Sequence, residues 1–227
     1  ACASLKTNLG HEGALAMARL PRLFAPTLAQ LITAQFAPAT VHALSTSPAR
    51  VFELLLGWLG QGAHLYDVSV HGWCIAPKGL TLLATPHDSL GVPRMVQDLG
   101  RRLAAHLKVG GVFNGRYHST IPQPKRWVLP CVVWLEQSAV REGLVDEPTQ
   151  WLWSSAHAHA EGTDKRASWL QPHPDYWHCG NTPFARQDAY RDQLNAGNSA
   201  PVNYAIEAAL KGQWGLGDPS FLAELAV

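Results

Sequence analysis

The sequence predicts an α+β protein whose elements run β-α-β-β-α-β, followed by a mostly helical C-terminal extension. Three observations carry that prediction. Two β-competent runs, 65–75 and 80–85, flank a turn at Ala76-Pro77-Lys78-Gly79, where Pro and Gly supply the reversal of a hairpin. Two stretches with apolar residues three and four apart, 47–60 and 91–108, stand on either side of it as helices. From about Pro148 the texture changes to Trp-, His- and Pro-rich connections between short helical patterns.

In chain order, 27–36 reads as the first strand, with a helix as the alternative. The helix over 47–60 starts with Ser47 as a candidate cap and Pro48 at the first helical position, and Val51, Phe52, Leu55, Leu56 and Leu59 form its apolar face. The hairpin follows. In the helix over 91–108, Val92, Met95, Val96, Leu99, Leu103 and Leu107 make the buried stripe, while Arg94, Arg101, Arg102 and Lys108 fall mostly off it. Residues 112–121 read as a turn plus a strand, and 125–135 as a third helix. This order is that of a ferredoxin-like sheet with helices on one face. Two further helices are expected at about 184–195 and 201–211.

Composition bounds the function classes. With 47% hydrophobic and 15% charged residues among 227, a buried core is expected and global disorder is not. No apolar run approaches the roughly 20 residues that cross a bilayer, so no membrane partner is expected. The N-terminus lacks the apolar core of a signal peptide, and Cys2, Cys74, Cys131 and Cys179 form no C-x-x-C pair. A cytoplasmic protein, free or nucleoid-associated, is the expectation. Net charge is only +1, but 91–126 carries seven Lys/Arg against one acidic residue, and 127–227 carries 6 against 12. A basic middle in a near-neutral chain suits a nucleic-acid footprint.

The stretch His71–Pro86, H-G-W-C-I-A-P-K-G-L-T-L-L-A-T-P, resembles the signature of the REP-associated tyrosine transposases, one-tyrosine members of the HUH superfamily. His71, Pro77, Leu80, Leu82, Leu83, Thr85 and Pro86 keep the frame of that signature. Arg116-Tyr117-His118-Ser119 is similar to the family's G-R-Y-R-S segment, and Trp153-Ser154-Ser155 to its W-S-S segment. The resemblance implies three parts: an N-terminal extension over 1–16, a transposase-like domain over 17–147, and a C-terminal helical extension over 148–227. It also implies that the basic opening with Arg19 and Arg22 lies near bound nucleic acid.

The chemistry of the family is missing from the matched positions. Its two metal-binding histidines fall on Gly79 and Thr81, its asparagine on Lys78, and its nucleophilic tyrosine on Trp134. An indole has no ionisable hydroxyl, glycine offers no ligand, and a neutral threonine hydroxyl is a poor substitute for imidazole. No catalytic residue, metal or other cofactor is therefore expected, and Gly79, Thr81 and Trp134 are read as vestigial positions. His157, His159, His173, His178 and Cys179 lack zinc-ligand spacing. His71, His87, Tyr66 and Tyr117 read as hairpin, core or rim residues.

Lys78 adds a cation where the family places a metal ligand. With Arg101, Arg102, Lys108, Arg116, Lys125 and Arg126 it forms a candidate phosphate-binding set, and Trp73, Trp127 and Trp134 are candidate stacking faces. The leading reading is an inactive transposase relative that binds structured single strands, hairpins of DNA or RNA. One competing reading is an adaptor, partnered by another protein or by a second copy, whose old site serves as an interface. Another is a transposase or nuclease with a relocated nucleophile.

Overall fold

The computed structural model describes residues 23–162 and 164–225; Arg19 and Arg22 lie outside them. The first unit comprises β1 (Gln30–Gln35), α1 (Pro38–Leu44), α2 (Pro48–Leu65), β2 (Val68–Ala76), β3 (Gly79–Pro86), α3 (Gly91–Leu107) and β4 (His118–Pro122). After it come α4 (Val128–Glu136), α5 (Ser138–Arg141), α6 (Ala156–Glu161), α7 (Pro174–Trp177), α8 (Pro183–Ala196), α9 (Ala200–Gly212), β5 (Gly215–Leu216) and α10 (Pro219–Leu225). The sheet order is β2-β3-β1-β4-β5. The first four strands are antiparallel to their neighbours, as a ferredoxin-like unit requires, and β5 joins β4 in parallel.

Alternation along the strands creates two cores. Ile32 and Ala34 of β1 and Leu80, Leu82 and Ala84 of β3 face α2 and α3, while Leu31 and Leu83 face α4, α8 and α9. Strand β2 would break this rule if it were regular. A register shift between Val70 and Gly72 changes its parity, so that Val70 and Trp73 point into the same core. Helices α2 and α3 lie on one face, as expected. The other face, left bare by that expectation, is covered by α4 and the C-terminal helices, because the apolar sides of Leu31, Cys74 and Leu83 need a cover as well.

The C-terminal segment also closes the sheet's free edge. Strand β2 is the outermost strand. Its backbone exchanges bonds with 153–155: Ile75 N–H donates to the Trp153 carbonyl (2.7 Å) and Ser155 N–H to the Trp73 carbonyl (2.8 Å). Gln171 N–H donates to the Val70 carbonyl (2.9 Å). The W-S-S segment thus blunts an edge that would otherwise template another strand.

Beneath it, the fully buried Glu136 of α4 accepts from the Ser155 hydroxyl (2.5 Å), His159 Nδ1–H (2.6 Å) and the Tyr190 hydroxyl (2.6 Å). Three donors from two C-terminal helices and the edge segment converge on one carboxyl group. Burial with satisfied partners ties the extension to the sheet.

Two local expectations change. Ser47 occupies the N-cap of α2 but its side chain makes no cap hydrogen bond, and Pro48 at the first position starts the helix. Helix α3 ends where Lys108 takes a left-handed conformation (φ 56°, ψ 40°) ahead of Gly110-Gly111.

Candidate nucleic-acid interface

The three positions matched to the family's ligands and nucleophile, Gly79, Thr81 and Trp134, come together. Gly79 and Thr81 lie on the α4-facing side of β3, and Trp134 reaches toward them from α4; all three line one cleft of about 430 Å³. Thr81 pairs across the sheet with Thr33 and Gly79 with Gln35. This juxtaposition follows from the hairpin's period and the helix packing, and the spacing in sequence alone could not reveal it.

At Gly79 the backbone itself forbids a side chain. A Cβ there would stand 2.5 Å from the Ala34 carbonyl oxygen and 3.1 Å from the Gln35 Cα. No imidazole can be placed at 79 without moving β1. Thr81 offers one neutral hydroxyl. The pair does not fit the divalent metal of the family's chemistry, and among the described residues no three His, Cys, Asp or Glu side chains gather as a metal site needs.

Trp134 is 9% exposed and held on two sides. Its indole N–H donates to Glu207 Oε1 (3.4 Å), and the Arg141 guanidinium lies 4.6 Å from its ring centre. Arg141 also donates to the Trp134 carbonyl (2.6 Å). Burial lowers Arg141 from its ordinary pKa, opposed by the nearby Glu207 carboxylate. Cys74, at the floor, accepts from the Ser138 hydroxyl (3.0 Å), and burial pushes its thiol up to about 12, so it is no thiolate nucleophile. Lys78 stands exposed at the rim, 3.6 Å from Glu142. An ion pair so open to water is worth little and is easily exchanged for a phosphate.

The cleft does not stand alone. It shares Thr33, Gln35 and His118 with a small depression that Asn114 and Arg116 complete. Arg116 also borders a groove between α3 and the 109–117 loop, which Arg101 lines as well. Arg101, Arg116, His118, Lys78 and Lys211 therefore mark one path, from the α3 side of the sheet around the ends of β1 and β4 into the cleft.

The other predicted cations lie off this path. Asp98 pairs with both Arg101 (3.1 Å) and Arg102 (2.8 Å), but Arg102 also donates to Gln61 (2.7 Å) and lines neither the groove nor the cleft, and Lys108 caps α3. Lys125 has a left-handed backbone whose N–H donates to Asp175 (2.6 Å), and Arg126 pairs with Asp218 (3.7 Å). Charge density in sequence counted all of them, but helix phase and loop geometry separate them. Arg141 and Lys211 were not singled out because each sits in a segment of acidic balance.

Among the stacking candidates, Trp73 is corrected. It is fully buried against Trp169, because the β2 register shift turns it inward, so it offers no face to a base. Tyr117 is buried and Tyr66 half-buried, as core or rim aromatics should be. His71 is buried too: Nδ1–H donates to the Gln171 carbonyl (2.6 Å), and Nε2 accepts from the Thr85 hydroxyl (2.8 Å). Burial pulls its pKa down to about 4, which keeps it neutral.

Neither a family model nor a curated protein matches the sequence. One solved structure is similar in fold: a REP-associated tyrosine transposase bound to a REP hairpin, with a TM-score of 0.55 and 13% identity, over 66% of this chain and 90% of that one. The fold is that of a REP-associated tyrosine transposase. The resemblance read from the hairpin signature thus has its counterpart in three dimensions. In this transposase fold, no helix among the described residues is long and apolar enough to cross a membrane.

Proposed function

We propose that this protein binds structured single strands, hairpin-bearing DNA or RNA, without cleaving them. The observation that carries the reading is the cleft where Gly79, Thr81 and Trp134 meet, entered by the basic path from Arg101 and Arg116. A phosphotyrosine reaction needs a hydroxyl nucleophile and an electrophile to polarise the phosphate. Trp134 supplies no hydroxyl, and the Ala34 carbonyl closes position 79 to any ligand side chain. What remains is a path of cations at the end of a sheet, which suits phosphate contacts spread along a strand. The hairpin carried by the similar transposase supports the same class of ligand.

The test uses one end-labelled, hairpin-bearing strand on two gels, with Mg²⁺ or Mn²⁺ present. A shifted complex on the native gel, with intact and unattached strand on the denaturing gel, is the expected result. A nick or a protein–DNA adduct removed by a Tyr→Phe change would establish the relocated-nucleophile reading instead.

An adaptor role is the second reading. It is favoured by large aromatic side chains exposed on the C-terminal part, Trp177 (50%), Phe184 (79%), Tyr204 (75%) and Trp214 (56%). Salt-resistant association with one protein, and no strand binding at low salt, would decide for it.

A further inference from the structure

The cleft at the end of the basic path sets an apolar patch and a carboxylate beside its cations. Its floor is apolar, formed by Ala76, Leu210 and Trp134. Its rim carries a carboxylate, Glu207, which is in no ion pair among the described residues. One oxygen of Glu207 accepts from the Trp134 indole N–H (3.4 Å), which sets the carboxylate beside the ring with its other oxygen left to accept. Arg141 is an exposed residue whose guanidinium lies over the buried indole, so it is the guanidinium that offers a delocalised face to the cleft.

Beside Glu207 a phosphate would meet a like charge, whereas Lys78 and Lys211 on the same lining are placed to take the phosphates. A flat heteroaromatic ring fits the carboxylate and the apolar floor. A carboxylate accepts from an exocyclic amine, such as cytosine N4, and repels a carbonyl oxygen such as thymine or uracil O4. The geometry points to Glu207 and the Arg141–Trp134 stack as a subsite for one unpaired nucleobase bearing an exocyclic amine. The subsite rests on the strand-binding reading above and names which part of the strand enters the cleft.

The experiment compares dC20 and dT20, both unpaired pyrimidine strands, at pH 8 by fluorescence anisotropy, with rC20 and rU20 as the RNA arm. Wild-type protein and the exposed-site variant Glu207→Gln are titrated in parallel. The C strand is expected to bind about tenfold more tightly than the T or U strand. Gln, which can donate as well as accept, is expected to bring that ratio close to one, chiefly by improving binding of T or U. Equal binding of C and T strands by the wild type overturns the subsite and leaves the strand-binding reading intact. A preference for C that survives in Glu207→Gln also overturns it. No binding of any strand at low salt removes the reading on which the subsite rests, and the subsite with it.

Discussion

Placing an imidazole at position 79 is the sharpest perturbation of the cleft. In Gly79→His, and already in Gly79→Ala, the new Cβ starts 2.5 Å from the Ala34 carbonyl oxygen, whereas real Cβ atoms essentially never approach closer than 3.0 Å. The obstacle is backbone, so no rotamer relieves it. Strands β1 and β3 would have to separate by about half an ångström or more at the Gln35–Gly79 pair. That strains the bond from Phe36 N–H to the Lys78 carbonyl (2.8 Å), which closes this end of the ladder.

Overpacking of this kind costs about 1–3 kcal/mol. For a chain of this size each kcal/mol shifts Tm by roughly 2–4 °C, so the variants should melt several degrees below wild type. Thr81→His, whose side chain enters the open cleft, should cost less. Thermal unfolding by circular dichroism reads all three. A Gly79→His variant as stable as wild type, or one stabilised further by Mn²⁺, would refute the conclusion that position 79 is closed to a ligand.

Acid should loosen the seam between the sheet and the C-terminal extension. His71 is neutral in the fold with its pKa lowered to about 4, whereas the unfolded chain protonates near 6.5. The unfolded state thus binds the extra proton first, and stability falls as pH drops from about 6.5 toward 4, by about 3 kcal/mol from this residue. His173, whose ring packs edge-on at 5.1 Å and whose pKa is also lowered by burial, acts in the same direction. Urea midpoints across that range should slope downward in wild type and flatten in His71→Gln; a flat wild-type profile contradicts the assignment. Glu136→Ala strands the three donors that meet there and should cost on the order of 3–5 kcal/mol by chemical denaturation. A loss below about 1 kcal/mol would mean the network is not what holds the extension.

Much of this was legible in the sequence because local signals were strong. The Pro77–Gly79 turn, the apolar stripe of α3 and the Pro48 start of α2 each announce their element, and their order fixes the sheet. What escaped depends on contacts between distant segments. The parity change at Val70–Gly72 inverts Trp73, and no periodicity of β2 alone announces a bulge. The cover on the second face comes from residues more than 50 positions beyond the hairpin, such as Tyr190 and Ile206.

At the site, the frame of the hairpin signature places Gly79 and Thr81, the resemblance of residues 131–145 to the family's tyrosine helix places Trp134, and the fold brings all three together. The cations sorted differently. Arg101 and Arg102 are neighbours in sequence and both pair with Asp98, yet only Arg101 lines the groove, while Arg102 also donates to Gln61. Lys211 belongs to the path only because α9 packs over β1 and β4.

The measurement that bears most directly on strand binding along this path is the salt dependence of affinity for a hairpin-bearing single strand. Wild type, Arg116→Ala and Arg102→Ala are compared from 50 to 300 mM salt. Each phosphate contact adds roughly 0.7 to the slope of log affinity against log salt for single strands. The account predicts a steep slope for wild type, one shallower by about 0.7 in Arg116→Ala, and no change in Arg102→Ala. Equal slopes in all three proteins, or a loss only in Arg102→Ala, would contradict it.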